Sequence, residues 1–152
     1  MDNLSEKGLF FQVCRTPAEC ESAKESYQTI LGGLGKNIIA RTGKADLGRP
    51  VQIFLTKRRG ETVGGIVGYL FGGWLYIQLF WVEESLRNKG YGTKLLRMIE
   101  DEAIKSGCKH AHVDTYSFEA RPFYEKHGYT LFATLENYPE GYSKHFLKKK
   151  LL

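Results

Sequence analysis

Residues 82–93, Val-Glu-Glu-Ser-Leu-Arg-Asn-Lys-Gly-Tyr-Gly-Thr, are the segment whose residue types and spacing best suit chemistry. The large apolar side chains from Trp74 to Val82 read as a buried strand, and an amphipathic helix pattern begins at Thr93. Between them, Gly90 and Gly92 let the backbone come close to a ligand, and the first N–H groups of the helix have no acceptor within it. Such a turn binds anions, and Arg87 and Lys89 add positive charge. Two phosphate motifs fail here. A dinucleotide fingerprint needs a third glycine where Leu95 stands. A P-loop needs Gly-Lys-Ser/Thr, but Gly35-Lys36 runs into Asn37 and Gly43-Lys44 into Ala45. Arg87-x-x-Gly90-x-Gly92 remains.

A second cluster has metal-ligand chemistry. Cys108, His110, His112 and Asp114 alternate and fall on one face of a strand. One interior strand gives poor chelate geometry, so these side chains are expected to pack or hydrogen-bond, and no metal is expected. Cys14, Cys20 and Cys108 are an odd, scattered set, which argues against a disulfide framework and fits a reducing, cytoplasmic setting.

The whole chain sets the frame for these groups. Its 152 residues suit one domain, and 42% hydrophobic with 26% charged residues excludes global disorder. The longest apolar stretches, such as Leu79 to Val82, are too short to span a bilayer. MDNLSEKGLF does not read as a secretory signal. The net charge of +5 fits a solvated, lysine-rich surface and also invites an anionic partner: nucleic acid, an acidic protein or a phosphorylated cofactor. The basic residues form no long stripe, and the lysines of 144–150 read as the soluble end of a last strand, so nucleic acid is not the expected partner.

Periodicity predicts a strand over Leu9–Val13 and a helix over Ala18–Leu31, capped by Thr16 and stopped by Gly32, Gly33 and Gly35. A second short helix is expected near Ile38–Ala40 and a loop over Gly43–Arg49. Strands follow over Val51–Thr56, Glu61–Phe71 and Trp74–Val82, the last two joined through Gly72-Gly73. Next come a helix over Thr93–Ser106 with a Leu95, Leu96, Ile99, Ala103 stripe, a strand over His110–Thr115, and a short helix over Ala120–Lys126. Strands over Tyr129–Leu135 and Tyr142–Leu147 close the chain. The strand–helix–strand unit across Val82 to Thr115 should be parallel and right-handed. The expected fold is α/β, with a mixed, mostly antiparallel sheet of about seven strands flanked by helices.

The Arg87, Gly90, Gly92 motif, placed after an antiparallel meander and before an amphipathic helix, resembles the pyrophosphate loop of the GCN5-related N-acetyltransferases (GNAT family). Ala120-x-x-Phe123-Tyr124-x-x-x-Gly128-Tyr129 is similar to that family's second cofactor motif, with Ser117 where the family often has Asn. The resemblance implies one N-acetyltransferase domain over 1–152, with the sheet splayed at the cofactor site, acetyl-coenzyme A as cosubstrate and direct attack by a primary amine in a ternary complex. It implies that Phe80, Trp81 and Val82 hold the pantetheine along a strand edge, with a backbone N–H near Trp81 or Val82 polarising the thioester carbonyl. Arg87, Asn88, Lys89, Gly90, Tyr91, Gly92 and Thr93 would hold the diphosphate, with further contacts from Ser117, Phe123 and Lys126. Tyr124 matches the general acid that protonates the thiolate. Glu83 is taken as the base, with Glu84 and Asp114 as other carboxylates within the same region. Trp74, Tyr76, Gln78, Trp81, Tyr116 and Tyr138 are expected on the acceptor side, where a small-molecule amine is favoured over a protein lysine. A homodimer is compatible with this reading, and a membrane partner is not expected. Two other classes fit the same residues: a catalytically weak acyl-CoA-binding regulator and a basic nucleic-acid-binding protein.

Overall fold

A computed structural model describes residues 12–44 and 48–152. The chain forms two compact units, 1–45 and 46–152. The expected strand over Leu9–Val13 falls outside the described residues except for Gln12 and Val13, which are in neither helix nor strand.

In the first unit, Thr16 caps α1 (Pro17–Ser22) in a reciprocal capping box with Glu19. The chain then breaks at Ala23 and continues as α2 (Lys24–Thr42). The expected stop at Gly32, Gly33 and Gly35 does not occur: the helix foreseen over Ala18–Leu31 breaks at Ala23 instead, and its second part runs on through the short helix foreseen near Ile38–Ala40. Glycine inside a helix costs only about 1 kcal/mol and forbids nothing. The helix ends instead at Gly43, whose φ of 67° supplies the left-handed cap. Neither helix contains a buried residue.

The second unit carries a six-stranded mixed sheet. Its strands are β1 (Arg49–Thr56), β2 (Thr62–Phe71), β3 (Trp74–Val82), β4 (His110–Tyr116), β5 (Thr130–Glu136) and β6 (Ser143–Lys150). Their order is β1-β2-β3-β4-β6-β5, parallel between β3 and β4 and antiparallel elsewhere. The β2–β3 turn has φ of 58° at Gly72 and 81° at Gly73, the left-handed pair a two-residue hairpin needs. The connection from β3 to β4 carries α3 (Tyr91–Lys105), and α4 (Arg121–Lys126) follows β4.

The helical stripe Leu95, Leu96, Ile99 and Ala103 packs against Ile66, Leu70, Leu75, Ile77, Ala111, Val113 and Leu147 of the sheet. Leu96 and Ile99 are fully buried, worth about 1.5–3 kcal/mol each. Glu100 joins this side as the one buried carboxylate among the described residues. It accepts hydrogen bonds from the Tyr129 hydroxyl (2.9 Å) and from Lys149 Nζ (2.9 and 2.8 Å), tying α3 to β6 and to the residue that leads into β5.

Candidate active site

The site begins with an irregularity in β3. Val67 of β2 pairs with Leu79 and Gly68 with Ile77, so Gln78 is an extra residue, a β-bulge. Gly68 suits this crossing, because a Cβ there would sit 2.8 Å from Leu75 and 2.9 Å from the Tyr76 carbonyl. The bulge changes which side chains face α3: Leu75 and Ile77 before it, Phe80 and Val82 after it. Leu79 and Trp81 are left exposed.

At the same level β3 parts from β4. Their parallel ladder covers only Trp74–Ile77 against His110–Val113. Beyond it β3 stays attached to β2, with Val82 opposite Gly64. β4 stays attached to β6, with Asp114 opposite Phe146 and Tyr116 opposite Lys144. The result is a fork whose inner edges, residues 78–82 and 114–116, have no strand between them. An extended polar ligand can pair there as an added strand.

The anion turn closes the far end of β3. A short 3₁₀ turn, Glu84–Leu86, leads to Asn88 with φ of 59° and to Gly90 with φ of 85°, the N-cap of α3. Gly90 fits here because a side chain would be strained at that φ, and nothing lies within 4 Å of its missing Cβ. No side chain caps α3, so its first N–H groups are open to an anion. Arg87 Nε donates to the Val82 carbonyl at 3.0 Å, which fastens the turn to the strand. Lys89 and Tyr91 are exposed.

α4 brings the hydroxyl. Tyr124 is 4% exposed, edge-on to Phe80 (6.4 Å), Phe123 (5.4 Å) and Tyr129 (5.6 Å). Its hydroxyl makes no hydrogen bond among the described residues, yet it is not sealed from solvent. Burial pushes its pKa far above the ordinary tyrosine value, and the charges of Glu119 and Asp114 add to this. The group is a protonated, unpartnered donor beside Phe80, past the last β3–β4 pair. Lys126 is exposed in the last turn of the same helix.

Across the sheet, Asp114 is the first β4 residue beyond the ladder. Its Oδ1 accepts the Tyr76 hydroxyl at 2.7 Å and its Oδ2 faces Lys144 Nζ at 2.8 Å. Lys144 lies over the rings of Tyr138 (5.0 Å), Tyr116 (5.7 Å) and Phe146 (5.8 Å). The hydrogen bond to Asp114 raises the Lys144 pKa, and burial followed by the same carboxylate raises that of Tyr76. Tyr76 stacks on His112 (4.6 Å) and Trp74 on His110 (4.6 Å). Burial lowers the His112 pKa, against the pull of Asp114.

The expected acceptor-side residues therefore fall in separate places. Trp74 and Tyr76 line a depression of about 420 Å³ near the start of β3. Tyr116 and Tyr138 stack at 6.1 Å around Lys144, and Trp81 projects at the far end of β3, 54% exposed. Ser117 does not cap α4, whose N-cap is Ala120 without a side-chain bond. Its hydroxyl accepts from the Ser143 backbone N–H at 3.1 Å. Glu83 stands just past the end of β3, before the glycine turn, where it accepts from Ser85 and lies 3.9 Å from Lys57. Sequence reasoning did not single out Lys144 or His127 for the site. Both were legible only as a basic residue in a lysine-rich tail and as a helix terminator.

Comparison with known proteins agrees with this geometry. The Acetyltransferase (GNAT) family profile matches residues 19–129. Blasticidin-S acetyltransferase of Streptomyces morookaense is 37% identical over 107 residues, 68% of this chain and 79% of that protein. Acetyltransferase Atu2258 of Agrobacterium fabrum is 38% identical over 112 residues, 74% of this chain and 81% of that protein. A crystal structure of an acetyltransferase from Bacillus cereus superposes with a TM-score of 0.69 at 30% identity, covering 92% of this chain and 96% of that one. The chain belongs to the GNAT acetyltransferase family and has its open mixed α/β sheet.

Proposed function

We propose that this chain is an acetyl-coenzyme A-dependent N-acetyltransferase for a primary amine of a small molecule, with residues 1–152 acting as one domain in a cytoplasmic setting. The observation that carries it is the fork between β3 and β4, with an uncapped helix N-terminus at one end of its inner edge and a free tyrosine hydroxyl beside it. Blasticidin-S acetyltransferase among the relatives supports a small-molecule acceptor. An aminoglycoside 6′-N-acetyltransferase complexed with coenzyme A shares the fold, at 19% identity and a TM-score of 0.61.

Each residue then has a task. Phe80, Trp81 and Val82 offer backbone to the pantetheine arm, and the open N–H groups of Tyr91, Gly92 and Thr93 face the diphosphate. Asn88, Lys89 and Gly90 shape the turn, and Arg87 fastens it. Phe123 closes the apolar wall with Phe80, and Lys126 and Ser117 lie at the margin. A backbone N–H past the bulge polarises the thioester carbonyl. The amine attacks the carbonyl carbon, the C–S bond breaks, and Tyr124 gives its proton to the departing sulfur. The amine's proton goes to Asp114, directly or through one water. Asp114 suits this better than Glu83, which lies about 16 Å further along the strand at roughly 3.3 Å per residue. Attack and leaving group are then served from opposite faces of the sheet.

Four lysines are held by carboxylates and so are not free to meet phosphates: Lys57 by Glu61, Lys105 by Glu102, Lys144 by Asp114 and Lys149 by Glu100. That weighs against a nucleic-acid partner. Among the described residues no helix is long and apolar enough to cross a membrane.

The test is release of free thiol from acetyl-coenzyme A over a panel of amines: blasticidin S, nourseothricin, aminoglycosides, polyamines and amino acids. Turnover with at least one, reduced about 10²- to 10⁴-fold in Tyr124→Phe, is expected. Tight cofactor binding with no turnover on any amine would instead indicate a regulator. Turnover of Tyr124→Phe within twofold of wild type would remove the tyrosine from the mechanism.

A further inference from the structure

His127, the residue that ends α4, makes two hydrogen bonds with its ring. Nδ1 lies 2.7 Å from the Phe123 carbonyl oxygen, and Nε2 lies 3.1 Å from Thr93 Oγ1. A carbonyl only accepts, so Nδ1 carries the hydrogen. In the neutral ring Nε2 is then the acceptor, and the Thr93 hydroxyl donates to it. Thr93 lies in the first turn of α3, the turn whose N–H groups are open. Phe123 sits one residue before Tyr124, and its ring packs on the imidazole at 4.5 Å. The Phe80 and Phe123 rings would lie 3.6 Å from a Cβ at Gly92. The imidazole therefore joins the first turn of α3 to the helix that carries the Tyr124 hydroxyl.

α4 has few other polar anchors. It is six residues long and has no side-chain cap, and its Arg121–Glu125 ion pair is internal. Tyr124 makes only ring contacts through its side chain. Among the described residues, the His127–Thr93 bond is the side-chain hydrogen bond that links α3 to α4.

We infer that His127 is a positioning residue that couples the diphosphate turn to the general acid. It fixes the Thr93 side chain at the end of the site that holds the nucleotide half of the donor, and fixes α4 at the end where the thiol leaves. Occupation of the turn then sets where the Tyr124 hydroxyl stands. The inference rests on the reading of residues 87–93 as the diphosphate site.

Two acetyl donors separate coupling from plain structural support: acetyl-coenzyme A, and S-acetylpantetheine, which has the same thioester arm and no diphosphate. In His127→Leu, kcat/KM with acetyl-coenzyme A should fall about fivefold to tenfold, the size of one or two lost hydrogen bonds. With S-acetylpantetheine, wild type and variant should agree within twofold. Thr93→Val removes the same bond from the other helix. It should give the same split, and in the His127→Leu background it should cost little more. If His127→Leu does not fold, His127→Phe decides, because it leaves an aromatic ring beside Phe123 and removes both hydrogen bonds of the imidazole. Equal losses on both donors would make His127 a structural prop and overturn the inference, as would an unchanged kcat/KM with acetyl-coenzyme A. Failure of the diphosphate site itself looks different: wild type would use the two donors equally well.

Discussion

Two carboxylates in this protein have the same kinds of partner and opposite surroundings. Glu100 and Asp114 each accept from a tyrosine hydroxyl and from a lysine of β6. The lysines, 149 and 144, are an odd number of positions apart, so they stand on opposite faces of the sheet. Burial differs only modestly between them: side-chain exposure is 10% for Glu100 and 18% for Asp114. What differs is the fabric around them. Glu100 sits on a helix packed against continuous sheet, and both its oxygens face Lys149, one also serving Tyr129. Asp114 divides its oxygens between Tyr76 and Lys144 at the point where the β3–β4 ladder has ended. The same three-part chemistry lies against joined strands in one place and at the opening between parted strands in the other.

The sharpest break in this comparison is Glu100→Ala. It leaves the Lys149 ammonium and the Tyr129 hydroxyl without their acceptor, and removal of one partner of a buried pair costs about 3–5 kcal/mol. Urea unfolding should show a loss of that size, with activity of the folded fraction little changed. A loss below about 1 kcal/mol would mean that the brace carries nothing. Asp114→Asn should reverse the pattern. Its kcat/KM should fall about 10²-fold, the low end for a lost proton acceptor, with a melting temperature close to wild type. If it unfolds the protein as Glu100→Ala does, Asp114 is a second brace and not a base.

The contrast was only half visible in the sequence. The α3 stripe of Leu95, Leu96, Ile99 and Ala103 follows a 3.6-residue period, so the core face of the helix was readable, as were β3 and the Gly72-Gly73 hairpin. The turn from Arg87 to Gly92 was readable because glycine and charge act locally. Gln78 as a bulge was not, because an extra residue is defined only against the register of β2. The Asp114–Lys144 pair joins residues on separate strands, and no pattern along the chain announces it. α2 misled because three glycines look like a stop, whereas a helix ends where its backbone takes a left-handed cap, here at Gly43.

Alkali separates the tyrosines on the two faces. Burial, with Glu100 and its hydrogen bond adding to it, raises the Tyr129 pKa strongly, and burial raises that of Tyr124. Unfolded tyrosine ionises near about 10. The folded state keeps both protons above that point, so their contribution to stability is full below pH 10 and is lost as pH rises beyond it. Wild type should lose stability steeply above pH 10. Tyr129→Phe should flatten that fall while lowering neutral stability by about 1 kcal/mol, one hydrogen bond. An unaltered alkaline slope in Tyr129→Phe would show that other groups govern it. Because Tyr124 stays protonated, the rate profile should have no basic limb from it below pH 10.

The smallest effect belongs to Tyr76→Phe, and it is the finest comparison of the two faces. The substitution removes the hydroxyl that donates to Asp114 Oδ1 and leaves the ring free to keep its stack on His112. Asp114 retains Lys144, so no charge is stranded, and stability should change by less than about 1 kcal/mol. The carboxylate loses one of the two contacts that aim it, so kcat/KM should fall by about threefold to tenfold, within the range for a misplaced catalytic group. KM for acetyl-coenzyme A should not move, since Tyr76 lies before the fork and away from the donor's strand edge. Tyr129→Phe on the other face should do the reverse, costing stability and sparing kcat/KM. If the two variants lose stability alike and activity not at all, the division of labour between the faces is wrong. Asp114 would then be as structural as Glu100, and solvent alone would take the proton from the amine.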